Sequence, residues 1–409
     1  MAMLLKNARV IDPQVELDCM CDVLVEDGKI AQVGEGIAAE GAEVKDLTGK
    51  VLVPGLVDMH VHLREPGYEF KEDIASGTRA AAHGGFTGVC SMPNTDPVAD
   101  DGAVIEYVKS RAAEVGKCRV YPSGAITHGL KGEIIAEMGD MVAHGAVAFT
   151  DDGKGVQDDG LMREAMNVAK SLNKLIVAHC EDESLLREGK VRESEWRQIE
   201  RDLKLADETG CGYHVCHISC KESVEVIRDA KKSGVNVTCE TAPHYLVLDT
   251  EDVRKGIAEN PEAGGRFKMN PPIKDPADRK AMIEGALDGT VDMIATDHAP
   301  HSAEEKSKGF EKSLNGITGL ECAFPVLYTG LVRPGVMTLE RLVEMMAIAP
   351  RKRFGLPMGD GYVVMDLENP YVLDSSRFLS MGKCTPFDGR TVYGKTQMTF
   401  RNGKIVYEV

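Results

Sequence analysis

Residues 51–67 read VLVPGLVDMHVHLREPG. The first half is an apolar, β-branched run of the kind found in a strand buried on both faces. It ends in His60 and His62, after which the chain turns polar. In a strand, residues i and i+2 face the same side. Both imidazoles therefore point one way and can bind one cation together. A buried strand that finishes in two paired donors suits a parallel sheet whose carboxyl edge carries the chemistry.

Seven further runs resemble this one: 86–92, 118–126, 145–150, 174–179, 212–218, 235–240 and 291–296. With 52–60 they make eight candidate strands. Helix-like segments at 71–83, 102–115, 158–172, 195–209 and 221–233 separate most of them. Strand–helix alternation of this length predicts an α/β fold, a closed (β/α)8 TIM-like barrel. The connection at 241–290 is long and only partly helical by pattern. An open doubly wound sheet is disfavoured, because no GxGxxG follows the first strand.

Both ends of the chain read as short strands. Asp27-Gly28 and Asn402-Gly403 are hairpin signals between alternating segments. The expectation is a small composite β-sandwich domain, with residues 1–52 as its N-terminal part and 354–409 as its C-terminal part. The barrel would occupy 53–353.

The chain has 409 residues, 43% of them apolar, enough for a sizeable core. Its net charge of −17 makes nucleic acid and anionic membrane poor partners. A small anionic substrate stays open, because a metal or a local arginine can invert the field inside a pocket. The N-terminal residues enter strand-like alternation at once, and no stretch reaches the ~18 apolar residues of a membrane helix. Eleven cysteines, mostly in apolar strand contexts, read as reduced thiols and point to the cytoplasm.

The strand ends carry the functional signal. They hold Asp58, His60 and His62; Asn94; Asp151 and Asp152; His179; His217; and Asp297, His298 and His301. In a barrel these ends share one face. Any one such histidine is usually a hydrogen-bonded core or surface residue, but six ligand-type residues at strand ends are a pattern. His60, His62, His179, His217, Asp152 and Asp297 are too many for one tetrahedral zinc. They suit two divalent ions bridged by a carboxylate and a hydroxide, as in metal-assisted hydrolysis. Imidazole-rich ligation favours zinc. One of Asp151 and Asp152 could instead cap the helix at 158–172. The cluster Cys211, His214, Cys216, His217, Cys220 lacks zinc-finger spacing, and its cysteines read as core.

HVHLREPG, MPNT (92–95), FTDDG (149–153), AHCED (178–182), HVCH (214–217), KMNPP (268–272) and ATDHAPH (295–301) together resemble class I bacterial dihydroorotase of the amidohydrolase superfamily. The resemblance spans nearly the whole chain. It implies reversible cyclisation of N-carbamoyl-L-aspartate to L-dihydroorotate, a step of pyrimidine biosynthesis. By motif position, His60, His62 and Asp297 would hold one zinc, and His179 and His217 a second. Asp152 is chosen as the bridge by its spacing to His179, with Asp151 as the fallback. Arg64, Asn94 and His301 would surround the free carboxylate, and Asn270 would touch the ring amide. A metal-bound hydroxide would attack the ring carbonyl, with Asp297 as general acid and base.

The resemblance also implies a homodimer and, in some members, a complex with aspartate transcarbamoylase. Three departures stand out: a short 183–195 segment, Leu314-Asn315 in the 311–321 loop, and the 360–370 segment. Alternatives are a hydantoinase- or allantoinase-like cyclic amidase, against which FTDDG without lysine argues, and a non-catalytic scaffold for the transcarbamoylase.

Overall fold

The computed structural model describes residues 2–409. Apolar strands at the two ends of the chain come together in one eight-stranded sheet. Its path runs Lys404–Glu408, Lys395–Arg401, Gly361–Asp366, Val51–Pro54, Ala2–Asp12, Leu17–Glu26, Lys29–Gly34, and Glu43–Asp46 lies parallel to Ala2–Asp12. The seam between the ends is antiparallel, with Val53 opposite Val363. Leu5, Val23, Leu52, Val364 and Phe400 fill one face.

Both hairpin signals form turns. Asp27 and Gly28 take φ of 47° and 82°, and Asn402 and Gly403 take 48° and 70°. Two left-handed residues in succession are what a type I′ turn requires. The two tips also touch: a Cβ on Gly28 would lie 2.6 Å from the Asn402 carbonyl oxygen.

The predicted strand at 52–60 is two strands. Val51–Pro54 belongs to the small sheet, and Leu56–Val61 is the first barrel strand. Gly55 between them donates to the Gly361 carbonyl, while Leu56 donates to that of Gly85. A Cβ on Gly55 would fall 2.3 Å from Thr87 Cγ2, so only glycine fits at this crossover. The Pro54-Gly55 dipeptide marks the change of partner, and the apolar residues on both sides make the two strands read as one.

The remaining barrel strands are Phe86–Ser91, Arg119–Pro122, Ala148–Phe149, Leu175–Ala178, Tyr213–Val215, Val237–Thr241 and Met293–Ile294. All neighbours pair in parallel, in one set of three and one of five. Single bridges join the sets, Gly124 to Phe149 and Val61 to His298, and close the barrel.

Helices Ile74–His83, Gly102–Val115, Asp159–Ser171, Val191–Thr209 and Lys221–Lys232 cover the outside. Aspartates start several of them: Asp73, Asp101 and Asp158 each accept a backbone N–H from the first turn. The long 241–290 connection holds Pro243–Val247 and Thr250–Glu259 before its barrel helix, Pro276–Asp288. No helix among the described residues is long and apolar enough to cross a membrane. All eleven cysteines are free, and Cys211, Cys216 and Cys220 are buried core residues.

Candidate active site

The carboxyl ends of the barrel strands open on a cavity of about 210 Å³. Its lining includes His62, Arg64, Asn94, Asp152, His179, His217, Asn270, Asp297 and His301. Of the ten residues given a role in the site from the sequence, only His60 is missing from that lining. It lies fully buried beneath, with Nε2 3.2 Å from Asp152 Oδ1 and 3.7 Å from Asp297 Oδ1.

The donors interleave around Asp152. His62 Nε2 is 3.3 Å from Asp297 Oδ1 and 3.5 Å from Asp152 Oδ2. His179 Nδ1 and His217 Nε2 are each 3.8 Å from Asp152 Oδ1 and 3.0 Å from one another. Burial opposes charge on Asp297, yet His62, with His60 and His217, holds its carboxyl down at about 2. Burial likewise opposes charge on Asp152, and His60 and His217 keep it well below the usual carboxylate range. The result is four imidazoles around two ionised carboxylates.

These residues fit a metal. His60, Asp152 and His217 each offer a ligand atom within 4.8 Å of the others, as do His60, His62 and Asp297. His60 Nε2, Asp152 Oδ1 and His217 Nδ1 are buried without a hydrogen-bond partner. Orphaned buried acceptors cost about 1–3 kcal/mol each, and a cation would satisfy atoms of this kind at once.

Asp151 points elsewhere. It accepts the backbone N–H groups of Ile126 (2.8 Å) and Thr127 (3.0 Å) and the Thr127 hydroxyl. The cap of helix Asp159–Ser171 is Asp158, not either member of the doublet. Arg64 reaches the Pro300 carbonyl and lies 3.5 Å from His301 Nε2. It has no carboxylate ion pair among the described residues. Glu65 is taken by Ile74 N–H, Tyr107 and Arg111, and Glu69 by Gly67 N–H. His301 donates from Nε2 to the Asn315 carbonyl (2.7 Å), with Lys71 Nζ 3.4 Å from its Nδ1. Burial, with Arg64 and Lys71 beside it, lowers His301 to about 4, so it is neutral.

Three site residues sit in the left-handed region: Arg64 at φ 63°, His217 at 29° and Asp297 at 49°. Such conformations cost roughly 1–3 kcal/mol and concentrate at functional sites.

Several contributors were given no role in the site from the sequence, though Asp58 and Asn315 were noted in it. Glu240, at the end of Val237–Thr241, is fully buried and bonds His60 Nδ1 (3.0 Å) and His214 Nε2 (3.2 Å). Asp58 accepts the N–H groups of His60 and Thr296, both at 3.1 Å, tying the first strand to the eighth. Glu181 is 3.3 Å from His179 Nε2 and accepts from Asn270 at 3.1 Å. Gly153, Ala299, Asn315 and Gly316 complete the cavity wall. Their shared signal was a strand-end carboxylate or a loop residue flanking a donor.

Comparison with known proteins bears on this arrangement. The family model described as Dihydro-orotase-like matches residues 49–223. A dihydroorotase of Bacillus cereus is 47% identical over 427 aligned residues, covering 99% of this chain and 98% of its own. One from Bacillus cytotoxicus is 46% identical over the same coverage.

The chain belongs to the dihydroorotase family.

Among solved structures, the L-hydantoinase (dihydropyrimidinase) of Arthrobacter aurescens superposes with a TM-score of 0.90 at 28% identity. That match covers 99% of this chain and 96% of the hydantoinase. The dihydropyrimidinase of Brevibacillus agri gives 0.86 at 24% identity, a likeness of fold. The (β/α)8 barrel expected from the sequence is thus shared with amidohydrolases, and the candidate metal donors lie where their fold keeps its catalytic loops.

Proposed function

We propose that the chain interconverts N-carbamoyl-L-aspartate and L-dihydroorotate, as a metal-dependent cyclic amidohydrolase. The observation that carries this reading is full-length kinship with dihydroorotases at 47% identity. The cavity agrees with it. One end is imidazole and carboxylate, and the other holds the half-buried Arg64, which has no carboxylate ion pair among the described residues. A guanidinium left unpaired in a pocket favours an anion, and dihydroorotate carries a free carboxylate that hydantoins lack. The hydantoinase likeness supports a second reading by kinship alone.

In this reading His60, His62 and Asp297 would hold one divalent ion and His179 and His217 a second, with Asp152 as a further carboxylate donor. Two zinc ions per subunit match the imidazole-rich set. When bound, such ions supply Lewis acidity and lower the pKa of water.

The protein's own residues do the rest. Arg64, Asn94 and His301 orient the substrate carboxylate. Asn94 Oδ1 accepts from His62 Nδ1–H at 2.9 Å, which leaves the Nε2 lone pair of His62 on the side of Asp152 and Asp297. Asn270, held by Glu181, faces the ring amide. Asp297 takes the proton from the attacking water and returns it to the leaving ring nitrogen. Closure takes up a proton and consumes a carboxylate, so acid favours the ring and alkali the open form.

The deciding assay is ring opening of L-dihydroorotate before and after chelation, with zinc restored. Chelator-sensitive, zinc-restored turnover supports the reading. Metal binding without turnover, followed by turnover of a hydantoin, replaces it with the second. The same kinship leads us to propose a cytoplasmic homodimer able to join aspartate transcarbamoylase. Sedimentation of the chain alone and mixed with that enzyme tests both.

A further inference from the structure

The strand Leu17–Glu26 contains Asp18-Cys19-Met20-Cys21-Asp22. Spacing of two in a strand places both thiols on one face. The structure brings their sulfurs to 3.1 Å, and no other two cysteine sulfurs among the described residues are in such contact. The two differ in access: Cys21 is buried in the core of the small sheet, while Cys19 is half-buried at its margin.

The strand is in regular register across the pair: Cys19 opposes Val10 and Cys21 opposes Ala8, and the extra residue of the neighbouring bulge lies in the facing strand, between Leu5 and Ala8. Residues two apart in an extended strand are roughly 6.6 Å apart, near the upper limit of about 6.8 Å for a disulfide. The side chains close the remaining distance, as the 3.1 Å approach of the two sulfurs shows.

We propose that Cys19 and Cys21 form a dithiol that a low-molecular-weight disulfide, such as oxidised glutathione, closes into an intrastrand disulfide. The thiolate of Cys19, the accessible member, attacks one sulfur of the reagent and expels one glutathione thiolate. The Cys21 sulfur then attacks the Cys19 sulfur of the mixed disulfide and expels the second. The protons of the two cysteine thiols pass to the two departing thiolates. The protein loses two protons and two electrons, and the reagent gains them. Burial, with Cys19 and Asp22 beside it, pushes the Cys21 thiol up to about 12. Cys21 is therefore a poor first nucleophile, and its contact with Cys19 makes it the resolving one. The site lies in the small sheet and stands apart from the proposed activity.

The test uses the folded full chain in excess oxidised glutathione, then alkylation, digestion and mass mapping. The expected product is a peptide carrying both Cys19 and Cys21, two hydrogens lighter, resistant to alkylation and restored by dithiothreitol. Cys21→Ser should stop at a glutathione adduct on Cys19, and Cys19→Ser should leave Cys21 unmodified. A wild-type chain that stays fully alkylatable, or that accumulates the Cys19 adduct without closing, would overturn the proposal. So would closure at equal rate in the denatured chain, since the folded geometry would then contribute nothing. The wild-type map alone decides the matter if either variant fails to fold.

Discussion

Glu240→Gln separates metal affinity from stability. Glu240 accepts from His60 Nδ1 at 3.0 Å and from His214 Nε2 at 3.2 Å, in full burial. This fixes the proton of His60 on Nδ1 and turns the Nε2 lone pair toward Asp152. Burial opposes its charge, yet His214 and His60 hold the carboxyl down at about 2. Charge-assisted hydrogen bonds are worth about 1 kcal/mol more than neutral ones. The substitution therefore forfeits roughly 2 kcal/mol over the two bonds, partly offset because a neutral amide is easier to bury.

The amide also has two orientations. In one, its oxygen still accepts from His60, and its NH₂ donates to His214, whose other nitrogen stays bonded to Thr238 Oγ1 at 2.8 Å. In the other, its NH₂ meets His60 Nδ1 and moves the proton to Nε2, where it blocks a metal. Loss of an outer partner of this kind costs about 10- to 100-fold in metal affinity. The assay is competition for zinc against a chromophoric chelator, beside a denaturant melt of the metal-free chain. Expected are zinc affinity lower by that factor and stability within about 2 kcal/mol of wild type. Wild-type zinc affinity in a correctly folded variant would refute the reasoning.

Other perturbations probe the remaining parts. Asp297→Asn should lower turnover by at least about 100-fold, the usual worth of a proton-transferring group, and near-normal steady-state rates would remove Asp297 from that role. Arg64→Met should raise KM for dihydroorotate by about 10- to 100-fold, the worth of a charge-assisted pair at about 1.5–3 kcal/mol; a loss confined to kcat would contradict a carboxylate-binding role. Arg351 is 2% exposed and bonds Gly55 O, Ala347 O, Thr87 Oγ1, Asp360 Oδ1 and Pro357 O. Arg351→Met should cost about 3–5 kcal/mol by leaving Asp360 a buried, unpaired charge, and a guanidinium titration showing under ~1 kcal/mol would count against this. Burial raises the Asp366 carboxyl, but Lys50 at 2.8 Å and Asn369 bring it down to about 2 from 3.8. Its stabilisation is present above 3.8 and fades as pH falls from there toward 2. The full shift corresponds to about 2 kcal/mol, nearer about 1 once solvent screens the partly exposed lysine. Asp366→Asn should flatten that acid limb, and an unchanged limb in chemical melts would argue against the link.

The convergence of candidate donors at strand ends was legible because ligand types recur with period and place: His60 and His62 by i, i+2, and His179, His217 and Asp297 after apolar runs. Alternation likewise announced the barrel. Hydrophobic pattern reports burial but not pairing partner, so the exchange of sheets at Gly55 was read through as one strand, although Pro54-Gly55 interrupts the apolar run at that point. The last barrel contact was equally hidden, because Val61 meets His298 beyond a strand only two residues long. Asp151 and Asp152 are chemically identical neighbours. What tells them apart is that the N–H groups of Ile126 and Thr127 converge on one of them, a tertiary fact. Glu240 looked like an ordinary strand end because its partners, His60 and His214, are 180 and 26 residues away in sequence.

The crossover at Gly55 has a consequence for anyone wishing to trim or recombine this protein. The peptide that leaves the terminal sheet becomes, one residue later, the stave carrying His60 and His62, so no linker exists at which to cut. A barrel excised at residue 56 would lose the Gly55 and Gly361 hydrogen bond and the Arg351 grip on the Gly55 carbonyl. Fraying would then begin at the stave that presents two of the six candidate donors. Grafts between relatives should therefore exchange the terminal sheet and this first stave as one inheritable block.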